Sequence, residues 1–399
     1  MHPPPSDRRA PALRPAPSAR WRRAGLALAL LAIAAPLRPA AAGDPSDRTS
    51  SREASLTTER RDAIRRGCAW LANRNGASGR YSTDKAPVAI TSLVTLAFLT
   101  AGSGVARGPH GDLVRKSVEW LVTLVEKPGK GQADGYIAQI GDVDSRMHGH
   151  GYAMLALASA LASADEDLAG RIRRVLDRAV KCAEASQTPT GGWGYNATPS
   201  QDHEGSVTVT VAQGLRAAHD AGIRVNSEVI AAGLRYLRQS QKPDGSFKYS
   251  IQQDRSTYAL TAAAVSSFML LGRYAKDTRD GDDARIESGV RFLKRSVHDV
   301  LVRPEWAFYG HFYAAWSAWQ YDGDDPSDEG VSRGRIDPDS KRFWGPWHSL
   351  VYRALLDQQR IDGSWHDEDD RFRFEDELPT AFAILTLAIP DETLPIFQR

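Results

Sequence analysis

Two kinds of hydrophobic pattern alternate along the chain, and both have the period of an α-helix. In the first kind one face is charged and the other apolar, which predicts helices in an outer layer at 61–71, 112–125, 168–185, 227–238, 284–297 and 348–358. The second kind is apolar nearly all round and rich in small residues, which predicts buried helices at 88–99, 151–161, 207–218, 258–271, 312–319 and 380–388. The alternation therefore predicts six hairpins, each made of one outer and one inner helix.

A glycine followed by an aromatic residue separates the two helices of a hairpin. The clearest copies are the segments 186–193, 240–247 and 358–365, and two weaker copies are Gly79-Arg80-Tyr81 and Asp134-Gly135-Tyr136. Phe308 fills the fifth position without a glycine, so the series is Tyr81, Tyr136, Trp193, Phe247, Phe308 and Trp365, with spacings of 55, 57, 54, 61 and 57 residues. A steady period in this range indicates stacked supersecondary units.

The repeats predict the fold class. A single hairpin cannot bury its apolar side, so the hairpins must stack. Six of them close into an all-α toroid, an α6/α6 barrel with six inner helices inside six outer ones. We expect this to be one domain over residues 58–390, followed by a C-terminal tail at 391–399. A closed ring buries its own edges, so we expect a monomer.

The N-terminus has the pattern of a secretory signal. Six arginines between positions 8 and 23 precede an apolar run at 24–35, and small residues at 40–42 precede Gly43. We therefore expect a signal peptide at 1–42, export to the periplasm or outside the cell after cleavage near Ala42, and a flexible polar leader at 43–57. No later segment is long and apolar enough to span a membrane.

Composition and cysteine content narrow the function classes. The 399 residues are 42% hydrophobic and 25% charged, with a net charge of only +2, which does not favour nucleic acid as a partner. Cys68 and Cys182 fall in outer helices of the first and third repeats. These helices are not neighbours in the ring, so we expect two buried free thiols rather than a disulfide.

The turns and two further segments carry a family resemblance. The Gln–Asp-Gly-Ser-Trp turn at 358–365 resembles the repeat motif of squalene–hopene cyclases and protein prenyltransferase β-subunits. Residues 147–153 and 343–365 are similar to segments of exported bacterial proteins with prenyltransferase/squalene-oxidase repeats. The resemblance covers residues 58–390 and implies the toroid fold, with the turn Gln and aromatic side chains tying helices together.

The chemistry of those families is not matched. The cyclases use an Asp-x-Asp-Asp motif with an acid held in an apolar pocket, whereas the two matches here, at 280–283 and 322–325, fall in hydrophilic segments that we interpret as ionised surface loops. The prenyltransferases hold zinc with Asp, Cys and His, and neither cysteine here has the required Asp two positions before it.

Polar residues at the starts of the inner helices form the candidate site, since equivalent positions in a closed ring lie on one rim. The ligand-binding candidates are His148, His150, Tyr152, His203, Glu204, Arg255, Tyr258, Tyr309, His311 and Glu377. Glu204, Glu377, His150 and His311 are the catalytic candidates among them. Aromatic residues between 306 and 347 are a second candidate lining, although their helical spacing fits core packing equally well.

Three functional hypotheses follow, and the sequence leaves open whether the protein is an enzyme. The first is an exported toroid that binds an apolar or isoprenoid ligand, or a protein partner, without the usual cyclase chemistry. The second is an enzyme of the terpene cyclase and prenyltransferase lineage with a rebuilt site at the rim. The third is a carbohydrate-active α/α barrel that uses Glu204 and Glu377. We expect no cofactor, with a divalent metal at the rim histidines as the alternative.

Overall fold

The computed structural model describes residues 45–74, 78–81, 85–200, 202–272, 279–323, 327, 329–368 and 374–398. The chain divides into two compact units, Met1–Ser50 and Ser51–Arg399. Of the first unit only residues 45–50 are described, so the expected signal peptide and its cleavage site lie outside the described residues. Residues 45–57 of the expected leader are helical and continue into the first helix.

Twelve α-helices alternate between an outer and an inner layer in the described part of the chain. The outer helices are α1 (Pro45–Arg74), α3 (Gly111–Glu126), α5 (Glu166–Ala185), α7 (Ser227–Ser240), α9 (Arg279–Val302) and α11 (Trp344–Gln358). The inner helices are α2 (Pro87–Thr100), α4 (Arg146–Ala160), α6 (Gly205–Asp220), α8 (Tyr258–Gly272), α10 (Ala307–Asp322) and α12 (Glu377–Ala388). Two short antiparallel hairpins accompany them, β1–β2 (Lys248–Ser250 and Gln253–Ser256) and β3–β4 (Val331–Ser332 and Arg335–Ile336).

The inner helices form a closed ring. Each packs against the next along the chain, and α12 packs against α2, so six parallel helices make a barrel with no free edge. Helix α2 shows why they are inside, because all of its residues from Pro87 to Thr100 are buried. Helix α5 has a charged outer face and buries only the stripe that contacts the barrel. The predicted all-α toroid is confirmed.

Glutamines at the ends of three outer helices tie neighbouring repeats together. The side-chain amide of Gln187 donates to the carbonyls of Gly191, in its own turn, and Val229, in the next outer helix, both at 2.9 Å. Gln241 makes the equivalent bond to Arg285 at 2.8 Å. Gln359 bonds Gly363 and Ala63 at 2.9 Å, which joins the last repeat to the first. The structural role that the resemblance implied for these glutamines is thus visible as hydrogen bonds.

The turn glycines allow the turn to lie against the next outer helix. Gly363 has φ +96°, and a Cβ placed there would approach the carbonyl oxygen of Arg66 in α1 to 2.6 Å. The residue two positions after the glycine then inserts into the core, as Trp365 does with its backbone N–H bonded to Thr380 Oγ1 at 3.0 Å. A side chain could not occupy such a position without moving the helix.

Two of the predicted turn aromatics are placed differently. In the second repeat Ile137, not Tyr136, is the buried residue two positions after the glycine, and Tyr136 is only partly buried. In the fifth repeat there is no such turn, and Phe308 lies in the first turn of α10. Tyr136 is aromatic, but the buried position is the second one after the glycine. Phe308 is aromatic, but its repeat has no glycine turn from which that position could be counted.

Residues 389–398, which include most of the expected tail, close the end of the barrel where the inner helices finish. Leu394, Ile396 and Phe397 are buried, and the Phe397 ring lies 5.5 Å from that of Trp316. Arg60 makes a two-bond ion pair with Asp391 at 2.7 and 2.9 Å. Residues 391–398 of the expected tail thus pack against the toroid.

The cysteines and the two Asp-x-Asp-Asp segments have structural roles where they are described. Cys68 and Cys182 are buried and unpaired, as predicted, and burial raises the pKa of Cys68 to about 12. Asp282 lies in helix α9 rather than in the expected surface loop and pairs with Arg238 at 2.6 and 2.8 Å. Asp322 accepts the backbone N–H groups of Phe343 and Trp344, while residues 324 and 325 lie outside the described residues. No helix in the described ranges has the length and apolar character needed to cross a membrane.

Candidate functional site

The barrel encloses a cavity of about 580 Å³ at the end where the inner helices begin. All six inner helices contribute to its wall from their first two turns or the residue before them. The aromatic lining consists of Tyr152, Tyr195, Tyr249, Trp306, Phe308, Tyr309, Phe374 and Phe382. The charged and polar lining includes Asp144, Arg146, His148, Glu204, Ser206, Arg255, Thr257 and Asp367. A volume of this size is typical of small-molecule sites.

Three residues at the mouth hold a left-handed backbone although none is glycine. Ala86 and Trp306 precede helices α2 and α10 with φ of +46° and +54°, and Arg146 opens α4 with φ +44°. All three line the cavity. Such a conformation costs about 1 kcal/mol for an L-residue and is concentrated at ligand sites in many proteins.

Glu204 is the most buried charged group of the lining, at 2% exposed. It caps helix α6, accepting the backbone N–H groups of Ser206 at 3.1 Å and Val207 at 2.9 Å. The hydroxyl of Ser206 donates to its Oε2 at 2.5 Å. Burial raises the pKa of Glu204, and these three donors oppose the increase only in part.

His148 completes this cluster from helix α4. Its Nε2 lies 2.8 Å from Ser206 Oγ and 3.9 Å from Glu204 Oε2. Burial lowers the pKa of His148 to about 4, so the imidazole is neutral at pH 7. The serine therefore links a neutral histidine to a carboxyl group within one hydrogen-bonded unit.

Tyrosines surround the carboxyl group. Tyr195 and Tyr249 share a hydrogen bond between their hydroxyls at 2.6 Å. The pKa values of both, and of Tyr309, are raised mainly by burial and also by the charge of Glu204. The phenol rings thus lie within electrostatic reach of the carboxylate.

A second polar group runs deeper into the barrel. The Tyr313 hydroxyl donates to Gln213 Oε1 at 3.0 Å and is 3.2 Å from the hydroxyl of Tyr152, which must then be the donor to it. Gln213 is fully buried, and its Nε2 has no partner among the described residues. Tyr152 connects this network to the cavity, since it also lines the wall.

Five of the ten predicted ligand residues line the cavity: His148, Tyr152, Glu204, Arg255 and Tyr309. His150 does not. Its Nδ1 accepts the Ile137 N–H at 3.1 Å, and its Nε2 faces the Ala179 carbonyl at 3.2 Å. It replaces the threonine that receives the turn N–H in other repeats, such as Thr208 with Trp193. The presence of His150 is therefore explained by its hydrogen bonds to the backbone and not by a role in the cavity.

The other four also lie outside the lining. His203 is buried with its Nδ1 3.1 Å from the Tyr236 hydroxyl. Tyr258 accepts the Trp347 indole N–H at 3.0 Å, and the His311 ring packs between those two side chains. Glu377 is buried and pairs with Arg74 at 2.9 Å. The carbohydrate hypothesis requires both Glu204 and Glu377 to line the cavity, and only Glu204 does.

Sequence reasoning missed Ser206, Arg146, Tyr195, Tyr249 and Asp367. A signal existed for the last three, because each lies two positions after the buried aromatic of its turn, Trp193, Phe247 or Trp365. Repeat position therefore identifies wall residues that residue type alone does not. Of the second aromatic candidate set, Trp306, Phe308 and Tyr309 line the cavity, while Trp316 and Trp347 belong to the core.

In the described parts of the chain, no group of three or more His, Cys, Asp or Glu side chains is arranged to hold a metal ion. The His148 and His150 pair that the sequence offered points to different partners, Ser206 and the backbone of repeat two.

Solved structures of type II terpene cyclases share this fold. A variant of the type II terpene cyclase MstE from Scytonema, in complex with geranylgeranyl dihydroxybenzoate, matches with a TM-score of 0.51 and 15% identity. The match covers 86% of this chain and 99% of that one. The apo enzyme matches with a TM-score of 0.50, also at 15% identity, over 85% of this chain and 99% of that one. No family model and no curated protein matches the sequence. At this identity the likeness shows a terpene-cyclase-like fold.

Proposed function

We propose that the cavity binds an apolar ligand of the isoprenoid type, whose polar end stays at the mouth. The observation that carries the proposal is a cavity of about 580 Å³ with an aromatic wall and its charged groups around one rim. A small-molecule site usually has an apolar wall and a few polar groups that point toward the ligand. The MstE complex supports the ligand class, because a geranylgeranyl chain on a ring is the substrate of that fold neighbour.

Ligand binding can be tested directly with the folded chain. Native mass spectrometry, followed by organic extraction, should reveal a retained apolar molecule. Titration with geranylgeraniol, followed by tryptophan fluorescence, should give saturable binding because Trp306 lies in the wall. Ala89→Trp, which fills the cavity from α2, should weaken binding at least about tenfold, whereas Asn73→Trp, at an exposed position of α1, should not. Absence of saturable binding in the unaltered chain would contradict the proposal.

Acid-initiated cyclisation is the second candidate, and Glu204 is the observation that favours it. A carboxyl group with a raised pKa in an aromatic cavity can donate its proton to a terminal alkene carbon. The π electrons of the next double bond then attack the resulting cation, and loss of a proton to water ends the reaction. The polyene is isomerised without gain or loss of atoms.

The test of this candidate is product analysis after incubation with geranylgeranyl-bearing polyenes. Glu204→Gln should abolish cyclic products, while Glu305→Gln, at a partly exposed carboxylate paired with Arg255, should retain them. Products that persist in Glu204→Gln would remove Glu204 from the role. Export remains part of the proposal, and N-terminal sequencing of the mature protein should find Gly43 as the first residue.

A further inference from the structure

The cavity contains a buried carboxylate that lacks a counter-ion. Each hydrogen bond to Glu204 comes from a neutral donor, namely two backbone N–H groups and the Ser206 hydroxyl. These donors stabilise the carboxylate but carry no net charge of their own. The nearby His148 is neutral at pH 7, because burial lowers its pKa to about 4. In the described part of the chain, no lysine or arginine forms an ion pair with Glu204.

The two arginines of the lining are engaged elsewhere. Arg255 pairs with Glu305 at 3.0 Å. The guanidinium of Arg146 lies 5.6 Å from the centroid of the Tyr195 ring, and its Nε donates to the Val143 carbonyl at 2.6 Å. Neither is among the causes of the Glu204 pKa shift, whereas the charge of Arg146 lowers the pKa of Tyr195 and that of Arg255 lowers the pKa of Tyr249. Both arginines thus act on the tyrosines of the wall, and neither neutralises the carboxyl group of Glu204 through an ion pair.

The walls around Glu204 are the surfaces that attract an organic cation. Tyr195, Tyr249 and Tyr309 lie within electrostatic reach of the carboxylate and line the same cavity. Trp306 and Phe308 add two more ring systems to that wall. Aromatic faces attract ammonium groups through the ring quadrupole, and a desolvated carboxylate adds a full opposite charge. An aromatic box with a carboxylate is the standard means of holding a quaternary or protonated amine.

We infer that the preferred ligand of this cavity carries a positively charged nitrogen, a protonated amine or quaternary ammonium on an apolar chain, with the nitrogen held between Glu204 and the surrounding tyrosines. The inference rests on the proposed function, since it names the charge of the ligand that the same cavity takes. A cation bound beside Glu204 would also stabilise the ionised form of this carboxyl group, whose pKa is otherwise raised by burial. A buried charge without a partner is otherwise costly.

The experiment compares three probes with the same twelve-carbon chain on the unaltered protein at pH 8 by isothermal titration calorimetry. The probes are dodecyltrimethylammonium, dodecanol and dodecanoate, each used below its aggregation concentration. We expect the cation to bind at least about tenfold more tightly than the alcohol, and the anion to bind most weakly. Equal affinity for the cation and the alcohol would overturn the inference. Preference for the anion would also overturn it and would assign the charge selectivity to Arg146 and Arg255.

Two variants locate the preference. Glu204→Gln should bring the affinity for the cation down to that for the alcohol and leave the alcohol unchanged, whereas Glu228→Gln, at an exposed carboxylate of the outer helix α7, should keep the difference. A cation preference that survives Glu204→Gln would also overturn the assignment. Because the ranking of the probes is measured first on the unaltered chain, a variant that fails to fold does not remove the test. If none of the three probes binds, the proposed function fails; if all bind alike, only the present inference fails.

Discussion

The two ends of the barrel differ in how their side chains are packed. At the closed end, segment 389–398 places Leu394, Ile396 and Phe397 in the core, and Trp319 and Thr393 find hydrogen-bond partners in Glu392 and Thr100. At the open end, the first residues of the inner helices surround a cavity, and Glu204 is buried there without a counter-ion in the described part of the chain.

The difference follows from the direction of the inner helices. Because the six are parallel, one end collects the outer-to-inner connections, in which the residues after the glycine turn differ from repeat to repeat, and the other collects helix C-termini that one segment can cover. The closed end is accordingly stabilised by packing. The open end contains unpaired polar groups, and Ala86, Arg146 and Trp306 have a left-handed backbone conformation there. Mutations at the two ends should therefore differ in what they change.

The largest expected effect is at the closed end. Phe397→Ala removes a ring that is 1% exposed and packs against Phe312 and Trp316. We expect it to lower the free energy of unfolding by about 3–4 kcal/mol. Ile361→Ala, at a side chain that is fully exposed on a turn, is the control and should stay within about 0.5 kcal/mol. Urea denaturation followed by circular dichroism measures both, and equal effects would mean that the segment does not seal the barrel.

Acid should weaken the open end. Burial lowers the pKa values of His148, His150 and His311 to about 4, from 6.5 in the unfolded chain. The unfolded state therefore binds more protons between pH 6.5 and 4, so stability falls as pH decreases through that window. We expect a loss of about 2 kcal/mol per histidine between pH 7 and pH 5.

One substitution isolates this pH effect. His150→Thr introduces the residue that receives the turn N–H in other repeats, so it should reduce the pH dependence by about a quarter, since His348 is a fourth histidine whose pKa burial lowers to about 4. Thermal unfolding at a series of pH values provides the measurement. An unchanged slope would show that His150 is not buried in the neutral form.

The turns at the open end should be as intolerant as the closed end. Gly363→Ala forces a left-handed alanine against the Arg66 carbonyl, and we expect a loss of about 2–3 kcal/mol. Gly222→Ala is the matched control, because its φ is +84° but no atom lies within 4 Å of the added Cβ. That variant should lose only about 1 kcal/mol from backbone strain. Similar values for the two, from denaturant unfolding, would mean that the close approach to α1 is not rigid.

The smallest expected effect concerns strain at the mouth. Ala86→Gly relieves a left-handed alanine, φ +46°, before helix α2 and should raise stability by up to about 1 kcal/mol. Ala101→Gly, at the other end of that helix with φ −77°, should lower it slightly. Differential scanning calorimetry measures whether each variant raises or lowers the thermal stability. Destabilisation by both would show that the Ala86 conformation is not a source of strain.

The architecture was predictable because the signal is repeated. The 3.6-residue period and the glycine turns are local signals, and six hairpins, five of them with a glycine turn, average out single errors such as Tyr136 and Phe308. The closing segment was missed because its residues, 389–398, have no repeat counterpart and become apolar core only through contact with Phe312 and Trp316.

The site was half predictable. His148 and His150 are both histidines and lie two positions apart. His148 faces the cavity and His150 faces a backbone N–H, because a step of two residues along a helix rotates the side-chain direction by about 160°. Ser206 carries no sequence signal, because its role depends on His148 from a different helix. Such pairings arise only when the ring has closed.

The bond from Gln359 to the carbonyl of Ala63 has a consequence for how the chain is made. It joins residues 296 positions apart, at the seam between the first hairpin and the last. During synthesis five hairpins can stack as an open arc, but the seam cannot form until the sixth has emerged. The nascent chain therefore exposes α2 on one side and the newest inner helix on the other until the sixth hairpin has emerged. A chaperone that covers α2 would protect the growing arc, and the last hairpin would displace it.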